Sequence, residues 1–331
     1  MRKFFALLTA VSFVLAISVA VSAAEKIQIS VPDSDTSYIY VAAKEFARRA
    51  AEYSGTLEFE VVPNGVLYDG DTAYGIQQLS NGALPIVILS SAIYTNFVPG
   101  FNVISVPYMF DDQEQLLEYL HSDIATELFN RVNLMGISVI GKWTRSFREI
   151  TNSRRPIERP SDLLGIVLRV PNNALYVEFF TSCGALTRPM DFSGVYDALK
   201  NEYLDGQENP VDIPYSSRFY EVQKYISFTN HMADAWVVGI NTKFLSELSA
   251  KEQNAIERAG EEVQAWNVEM MAEQDKAALQ TLIKNGMKAN ELTPEARREF
   301  IEISKSCYDK FKILIRDDEL FEATAKFTGR N

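Results

Sequence analysis

The sequence predicts an α/β fold of two lobes with a long helix bridging them, and three observations carry that prediction. Short apolar or β-branched runs alternate with segments of helical periodicity, the pattern of layered α/β domains. The alternation runs through the first hundred residues and starts again near residue 136. Near the C-terminal end, one apolar stripe of helical spacing is too long for a single small domain. Chain length agrees: once a leader is set aside, about 300 residues remain, more than one core usually supports.

The leader comes first. Arg2 and Lys3 precede an uncharged apolar run from Phe4 to Ala20, then Val21-Ser22-Ala23-Ala24, then Glu25, the first acid. This is the layout of a signal peptide over residues 1–24, cleaved after Ala24. The competing reading is an uncleaved membrane anchor, which the small residues before Glu25 disfavour. No cysteine follows the apolar run, so lipidation at a new N-terminal cysteine is excluded. No later segment approaches eighteen uninterrupted apolar residues. An exported, soluble protein is expected.

Lys26–Val31 alternates, with Ile27, Ile29 and Val31 on one face, and reads as the first strand. Thr36–Tyr53 carries helix formers and the stripe Val41, Ala42, Phe46, Ala50. Leu57–Val62 is a second strand, stopped by Pro63-Asn64-Gly65. A helix over Thr72–Leu79 and a strand over Ile86–Leu89 complete a unit with a largely parallel sheet. In the second unit, Gly136–Lys142 and Gly165–Val170 read as strands, the latter ending at Pro171. Helices follow over Leu175–Ser182 and Ser193–Leu204, before the turn Asp205-Gly206.

The bridging helix has the clearest punctuation. Ser249 and Glu252 form a capping box, and Ile256, Ala259, Val263, Trp266, Met270, Leu279 and Leu282 continue the stripe toward a cap at Gly286. Some 37 residues at 1.5 Å each give about 55 Å. The stripe is single and interrupted, which favours a bridge between lobes over a coiled coil.

Charge excludes several partners. The formal charge is −12, and loss of Arg2 and Lys3 makes it −14. Such a surface repels nucleic acid and anionic lipid, so an anionic ligand needs a local basic pocket. Cys183 and Cys307 are the only cysteines; two separate buried thiols are favoured, with pairing left open.

Motifs for catalysis are thin. Gly136-Ile-Ser-Val-Ile-Gly141-Lys142 has phosphate-loop spacing, but Trp143 replaces the magnesium-binding Ser or Thr and the interior reads as a strand. His121 and His231 are the only histidines, and no H-E-x-x-H, G-x-S-x-G or metal-spaced His/Cys cluster occurs. His231 lacks an evident acid–base partner and reads as structural. No enzyme activity, cofactor or metal is expected.

The informative stretch runs from Arg148 to Asn230. Arg148, Arg154, Arg155, Arg159, Arg169 and Arg188 fall within it, in an otherwise acidic chain. Guanidinium forks match carboxylates bidentately and tolerate desolvation. Arg169 ends the apolar run Ile166-Val167-Leu168, and ligands of open α/β sheets bind at strand C-terminal ends. A surface arginine paired to a neighbouring acid is the equally weighted alternative. In Asp205-Gly-Gln-Glu-Asn209-Pro210, the proline holds Asn209 extended, so its amide can face an anion and a hydroxyl.

Over this stretch the chain resembles the substrate-binding proteins of TRAP (tripartite ATP-independent periplasmic) transporters, the DctP type. FREITNSRRPIERPSDLLGIVLRVPNN is similar to the family's R-V-P segment, and CGALTRPMDFSGVYDAL to its G-A-x-P-x-P-M-x-F-x-E-V-Y-x-A-L. DGQENP matches as it stands, FYEVQKYISFTNH resembles another family segment, and VVPNGVL and FNVISVPYMF extend the likeness over the mature chain.

The resemblance implies a two-lobe periplasmic-binding-protein-like fold with discontinuous domains. Residues 25–146 with 235–275 would form lobe I, and 147–234 with 276–331 lobe II. It also implies a periplasmic receptor for a small organic anion that serves TRAP membrane permease subunits, with no nucleic-acid partner; a monomer is expected. Arg169 would bind the ligand carboxylate, Arg148 would assist, Asn209 would contact the ligand and Phe192 would pack on it. The chain departs from the pattern at Leu199-Lys200-Asn201-Glu202, at Tyr68, at Gly194 and at Ser90. Ser90, Asp71 and Trp236 are candidates for contacts to the distal part of the ligand. A secreted enzyme on the same scaffold and a receptor feeding a sensor are the alternatives.

Overall fold

The computed structural model describes residues 26–330; the leader reading of residues 1–24 lies outside them. Its strands are β1 (Ile27–Ser30), β2 (Phe59–Val62), β3 (Ile86–Ser90), β4 (Ile137–Arg145), β5 (Glu149–Asn152), β6 (Val167–Val170), β7 (Leu186–Pro189), β8 (Gly206–Asn209), β9 (Tyr225–Phe228), β10 (Asp234–Asn241) and β11 (Lys288–Glu291). The helices are α1 (Tyr38–Ser54), α2 (Thr72–Asn81), α3 (Ser91–Tyr94), α4 (Gln113–His121), α5 (Asp123–Asn130), α6 (Ala174–Ser182), α7 (Val195–Lys200), α8 (Asp212–Ser216), α9 (Thr242–Glu247), α10 (Ala250–Lys284), α11 (Pro294–Ser306), α12 (Tyr308–Ile315) and α13 (Asp318–Phe327).

Two sheets organise these elements, in the orders β2-β1-β3-β10-β4 and β11-β9-β5-β8-β6-β7. β1 is parallel to β2 and β3, as the alternating pattern predicts. The first sheet is nevertheless mixed: β10 enters antiparallel between β3 and β4, with Trp236 opposite both Ser90 and Trp143. The second sheet is mixed because β5 runs antiparallel to β8 and β9. Both departures from the expected parallel sheets have one cause. The chain leaves the first sheet after Arg145, enters the second at Glu149, and returns through β10, so the crossing strands run against their neighbours.

The GISVIGK run is β4, a strand interior as its β-branched residues predict. The helix expected over Ser193–Leu204 is shorter, ending at Lys200, because Glu202 turns into the left-handed region at φ 59°. α1 is capped by Ser37, whose hydroxyl accepts from Tyr40 N, and is stopped by Gly55 at φ 71°.

α10 spans 35 residues, about 52 Å. Its capping box at Ser249 and Glu252 is present, and Gly286 N and Met287 N close its end onto Ile283 O and Leu282 O. The N-terminal half packs Ile256, Ala259 and Val263 with Phe46 of α1 and with Trp143 and Val238 of the first sheet. The far end packs Ala278 and Leu282 with Val211 and Ile226, next to the second sheet. Close approach to β4 requires Gly260: a Cβ there would lie 1.7 Å from Ile140 O. Trp143 Nε1 donates to the Gly260 carbonyl at 2.7 Å. Among the last helices, α12 packs on both α6 and residues 99–103, and α13 on α5. Cys183 and Cys307 are separate buried thiols.

Candidate functional site

A cavity of about 50 Å³ lies where the two sheets face each other. Its first wall is built from Pro32, Asp33, Thr72, Leu89, Ser90, Ala92, Ile93 and Trp236, its second from Arg169, Pro171, Phe192 and Asn209. Arg145 and Arg148, from the crossover segment, form its floor. The walls sit at strand ends: Ser90 closes β3, Asp33 follows β1, Asn209 closes β8, and Arg169 stands one residue from the end of β6. Strand C-terminal ends leave backbone and side chains free to face a ligand, and here two sheets present such ends to each other.

The three buried arginines differ in how their charge is balanced. Arg145 donates to Asp234 Oδ2 at 3.0 Å and stacks 4.3 Å above the Trp236 ring. Arg148 forms a fork on Glu208, donating from Nη2 to Oε1 at 2.9 Å and from Nε to Oε2, and also reaches Asp234. Burial alone would lower its pKa, but the Glu208 carboxylate holds it well above the usual arginine value. Arg169 has no carboxylate partner among the described residues. Its Nε and Nη2 donate to the Met190 carbonyl at 3.1 and 2.7 Å, and its guanidinium lies 5.9 Å from the Phe192 ring centre. Burial, with Arg148 nearby, lowers its pKa to about 10, so it remains cationic at neutral pH.

The carboxylates behind the arginines are themselves held. Asp234 is fully buried and accepts from Ser90 Oγ on both oxygens, at 2.8 and 2.7 Å, from Ser91 Oγ and from Ala235 N. Burial would raise the Glu208 pKa, but Arg148 and His231 keep it below the usual carboxylate range. His231 has a partner after all: Nε2 lies 3.2 Å from Glu208 Oε2 and Nδ1 2.7 Å from Thr229 Oγ1. Burial lowers the His231 pKa. The neutral ring therefore donates to Glu208 from Nε2 and accepts from Thr229 at Nδ1. It orients Glu208 and through it Arg148, a structural role.

Of the residues singled out in the sequence, Arg169, Arg148, Asn209, Phe192, Ser90 and Trp236 line the cavity, and Asp71 does not. Asp71 is exposed and caps α2, its Oδ1 accepting from Tyr74 N at 3.0 Å; the neighbouring Thr72 takes the place on the wall. Asn209 Oδ1 accepts from Arg148 Nη2 at 2.9 Å while its Nδ2 donates to Gln207. The other arginines of that group serve elsewhere: Arg154 pairs with Asp205, Arg155 donates to loop carbonyls, Arg159 pairs with Glu299 and Arg188 is exposed, donating to the Thr187 carbonyl.

Sequence reasoning missed Arg145, Asp33 and Asp234. Arg145 ends an apolar strand just as Arg169 does, so the same strand-end rule finds it. Asp234 carries a different signal, a lone acid in the apolar run M-A-D-A-W-V-V. Asp33 is masked by the turn-like Pro32-Asp33-Ser34-Asp35.

The profile of "Bacterial extracellular solute-binding protein, family 7" (DctP) matches residues 29–313. The C4-dicarboxylate-binding periplasmic protein DctP of Rhodobacter capsulatus is 30% identical over 271 residues, covering 81% of this chain and 80% of that one. The sugar acid binding protein DctPAm of Advenella mimigardefordensis, solved with galactonate, superposes with a TM-score of 0.88 at 28% identity, covering 92% of this chain and 98% of that one. A TRAP periplasmic solute binding protein of Chromohalobacter salexigens with bound D-glucuronate gives a TM-score of 0.85 at 27% identity, with coverage of 92% and 99%.

Proposed function

The chain belongs to family 7 of the bacterial extracellular solute-binding proteins, the TRAP receptors for small organic acids, and we propose that it holds its ligand's carboxylate on Arg169 between two closing lobes. The single observation that carries this is the imbalance among the buried arginines. Arg145 and Arg148 are matched to Asp234 and Glu208, whereas Arg169 is 3% exposed with only a carbonyl for company. A buried cation without a counter-ion is unfavourable, and a guest carboxylate supplies that counter-ion. Arg148 and Asn209 would complete the cradle, Phe192 would pack on the guest, and Ser90 and Trp236 would form the opposing wall.

In this reading, residues 25–146 with 235–275 move as one lobe and 147–234 with 276–331 as the other. The crossover at 145–149, the return at 228–234 and α10 act as hinges. Closure excludes water, which strengthens the arginine–carboxylate bond, and presents a closed surface to the membrane permease subunits. The receptor would act as a monomer in the periplasm after removal of residues 1–24.

The experiment is a thermal-shift screen of the mature protein against small organic acids, since a ligand of the folded state raises the melting temperature. At least one carboxylate is expected to raise it, and amines and neutral sugars of similar size are not. No shift with any acid at concentrations up to ~10 mM, about tenfold above even a millimolar Kd, would reject the reading.

A further inference from the structure

The wall facing Arg169 carries a feature that the carboxylate cradle does not use. Asp33 follows β1, is only 4% exposed and lines the cavity. Among the described residues its Oδ2 is buried without a hydrogen-bond partner and its side chain makes no ion pair. Such an orphan is unfavourable unless something reaches it. On the same cavity lining, Arg145 Nε is buried and also unpartnered. An acceptor and a donor left open together suit a hydroxyl group, which both donates and accepts.

Charge points the same way. The ionisable groups facing Asp33 are Arg145, Arg148, Arg169 and Asp234, with Asp212 and its raised pKa behind them. Asp234 and Glu208 offset two of the three guanidiniums, which leaves one positive charge for the guest. Resting on the reading that Arg169 holds a carboxylate, we propose that Asp33 is a specificity-determining residue that reads a ligand hydroxyl and excludes a second carboxylate. The preferred guests are then hydroxylated monocarboxylates, and dicarboxylates are disfavoured. Burial favours the neutral form of Asp33, opposed by Arg145 and Arg148. In that form it can donate to a hydroxyl as well as accept from one. Ionised, it would repel a second carboxylate directly.

The test is titration calorimetry of the mature protein with glycerate, erythronate and galactonate on one side, and succinate and malate on the other. Wild type is expected to bind at least one hydroxy monocarboxylate at least about tenfold more tightly than either dicarboxylate, the discrimination of one buried hydrogen bond. Asp33→Ala should weaken that hydroxy acid about tenfold or more. Asp33→Asn, which keeps a donor and an acceptor but can no longer ionise against a second carboxylate, should narrow the gap to succinate. If Asp33→Ala fails to fold, judged by its far-ultraviolet circular dichroism, Asp33→Asn carries the test alone.

A wild-type preference for succinate or malate, abolished by Arg169→Ala, would overturn this inference and leave the carboxylate site standing. An unchanged ratio of hydroxy acid to succinate in the Asp33 variants would overturn it as well. Absence of binding by every acid in the wild type would overturn both.

Discussion

Arg148 and Glu208 form a two-pronged ion pair with neither side chain in contact with bulk solvent, and His231 donates to the same carboxylate. Removing one partner of such a pair leaves a desolvated charge behind, which is far worse than never having had the pair. Glu208→Gln is therefore expected to destabilise the protein by about 3–5 kcal/mol, seen as a lower midpoint in urea unfolding. An unchanged midpoint would show that Arg148 is satisfied by Asp234 alone.

Arg169→Ala tests the cradle directly. Loss of the guanidinium is expected to weaken binding of the cognate acid by about 2–5 kcal/mol, roughly 30- to several-thousand-fold. Folding stability without ligand should hold or rise, because the variant loses an unbalanced buried cation. Calorimetry that returns wild-type affinity would remove Arg169 from the site.

Asp212 sets a pH dependence of stability. It is 3% exposed, its Oδ1 has no hydrogen-bond partner among the described residues, and burial raises its pKa to about 8. Asp275, on α10 beside Ser146, is raised to about 6, also by burial. Between the unfolded value near 4 and these folded values, the native state binds more protons than the unfolded chain. Stability therefore falls as pH rises from 4 toward 6 through Asp275 and from 4 toward 8 through Asp212, by up to about 1.4 kcal/mol per pH unit for each group within its own window. Asp212→Asn should flatten that slope above pH 6 and stabilise the protein at pH 8. A wild type equally stable at pH 6 and pH 8 would contradict the assignment.

Gly260 gives a prediction of opposite sign to helix propensity. In an exposed helix interior, glycine to alanine stabilises by up to ~1 kcal/mol. Here the new methyl would meet the backbone oxygen of Ile140, which cannot rotate away. Gly260→Ala is expected to destabilise by about 3 kcal/mol or more, measured by thermal unfolding. A stabilised variant would mean that α10 lifts from β4 without penalty.

How far the sequence could be read follows from which forces are local. The place of Arg169 on the cavity lining was legible because a strand end and a following proline concern neighbours in the chain. The caps of α10 were legible for the same reason. An aspartate before a helix looks the same in sequence whether it caps or faces a ligand. Asp71 caps α2 through Tyr74 N, and only three-dimensional placement reveals its exposure away from the cavity lining. The balance that singles out Arg169 was hidden entirely, since Asp234 lies 89 positions from Arg145 and Glu208 lies 60 from Arg148. The antiparallel entry of β10 escaped for a related reason: strand direction in a sheet depends on where the chain has travelled in between.

That travel has a consequence for how the molecule comes to be made. β10 occupies the place between β3 and β4, yet it is synthesised only after every residue of β5 to β9. Until then the inner edges of β3 and β4 have nothing to pair with, and a nascent chain shorter than residue 234 offers two unpaired strand edges to any neighbour. The first sheet cannot be completed until β10 has been made, so its last pairings wait for the whole segment that carries β5 to β9. A sheet left open until Asn241 has been made keeps the chain pliable for threading through a narrow translocation channel before it sets.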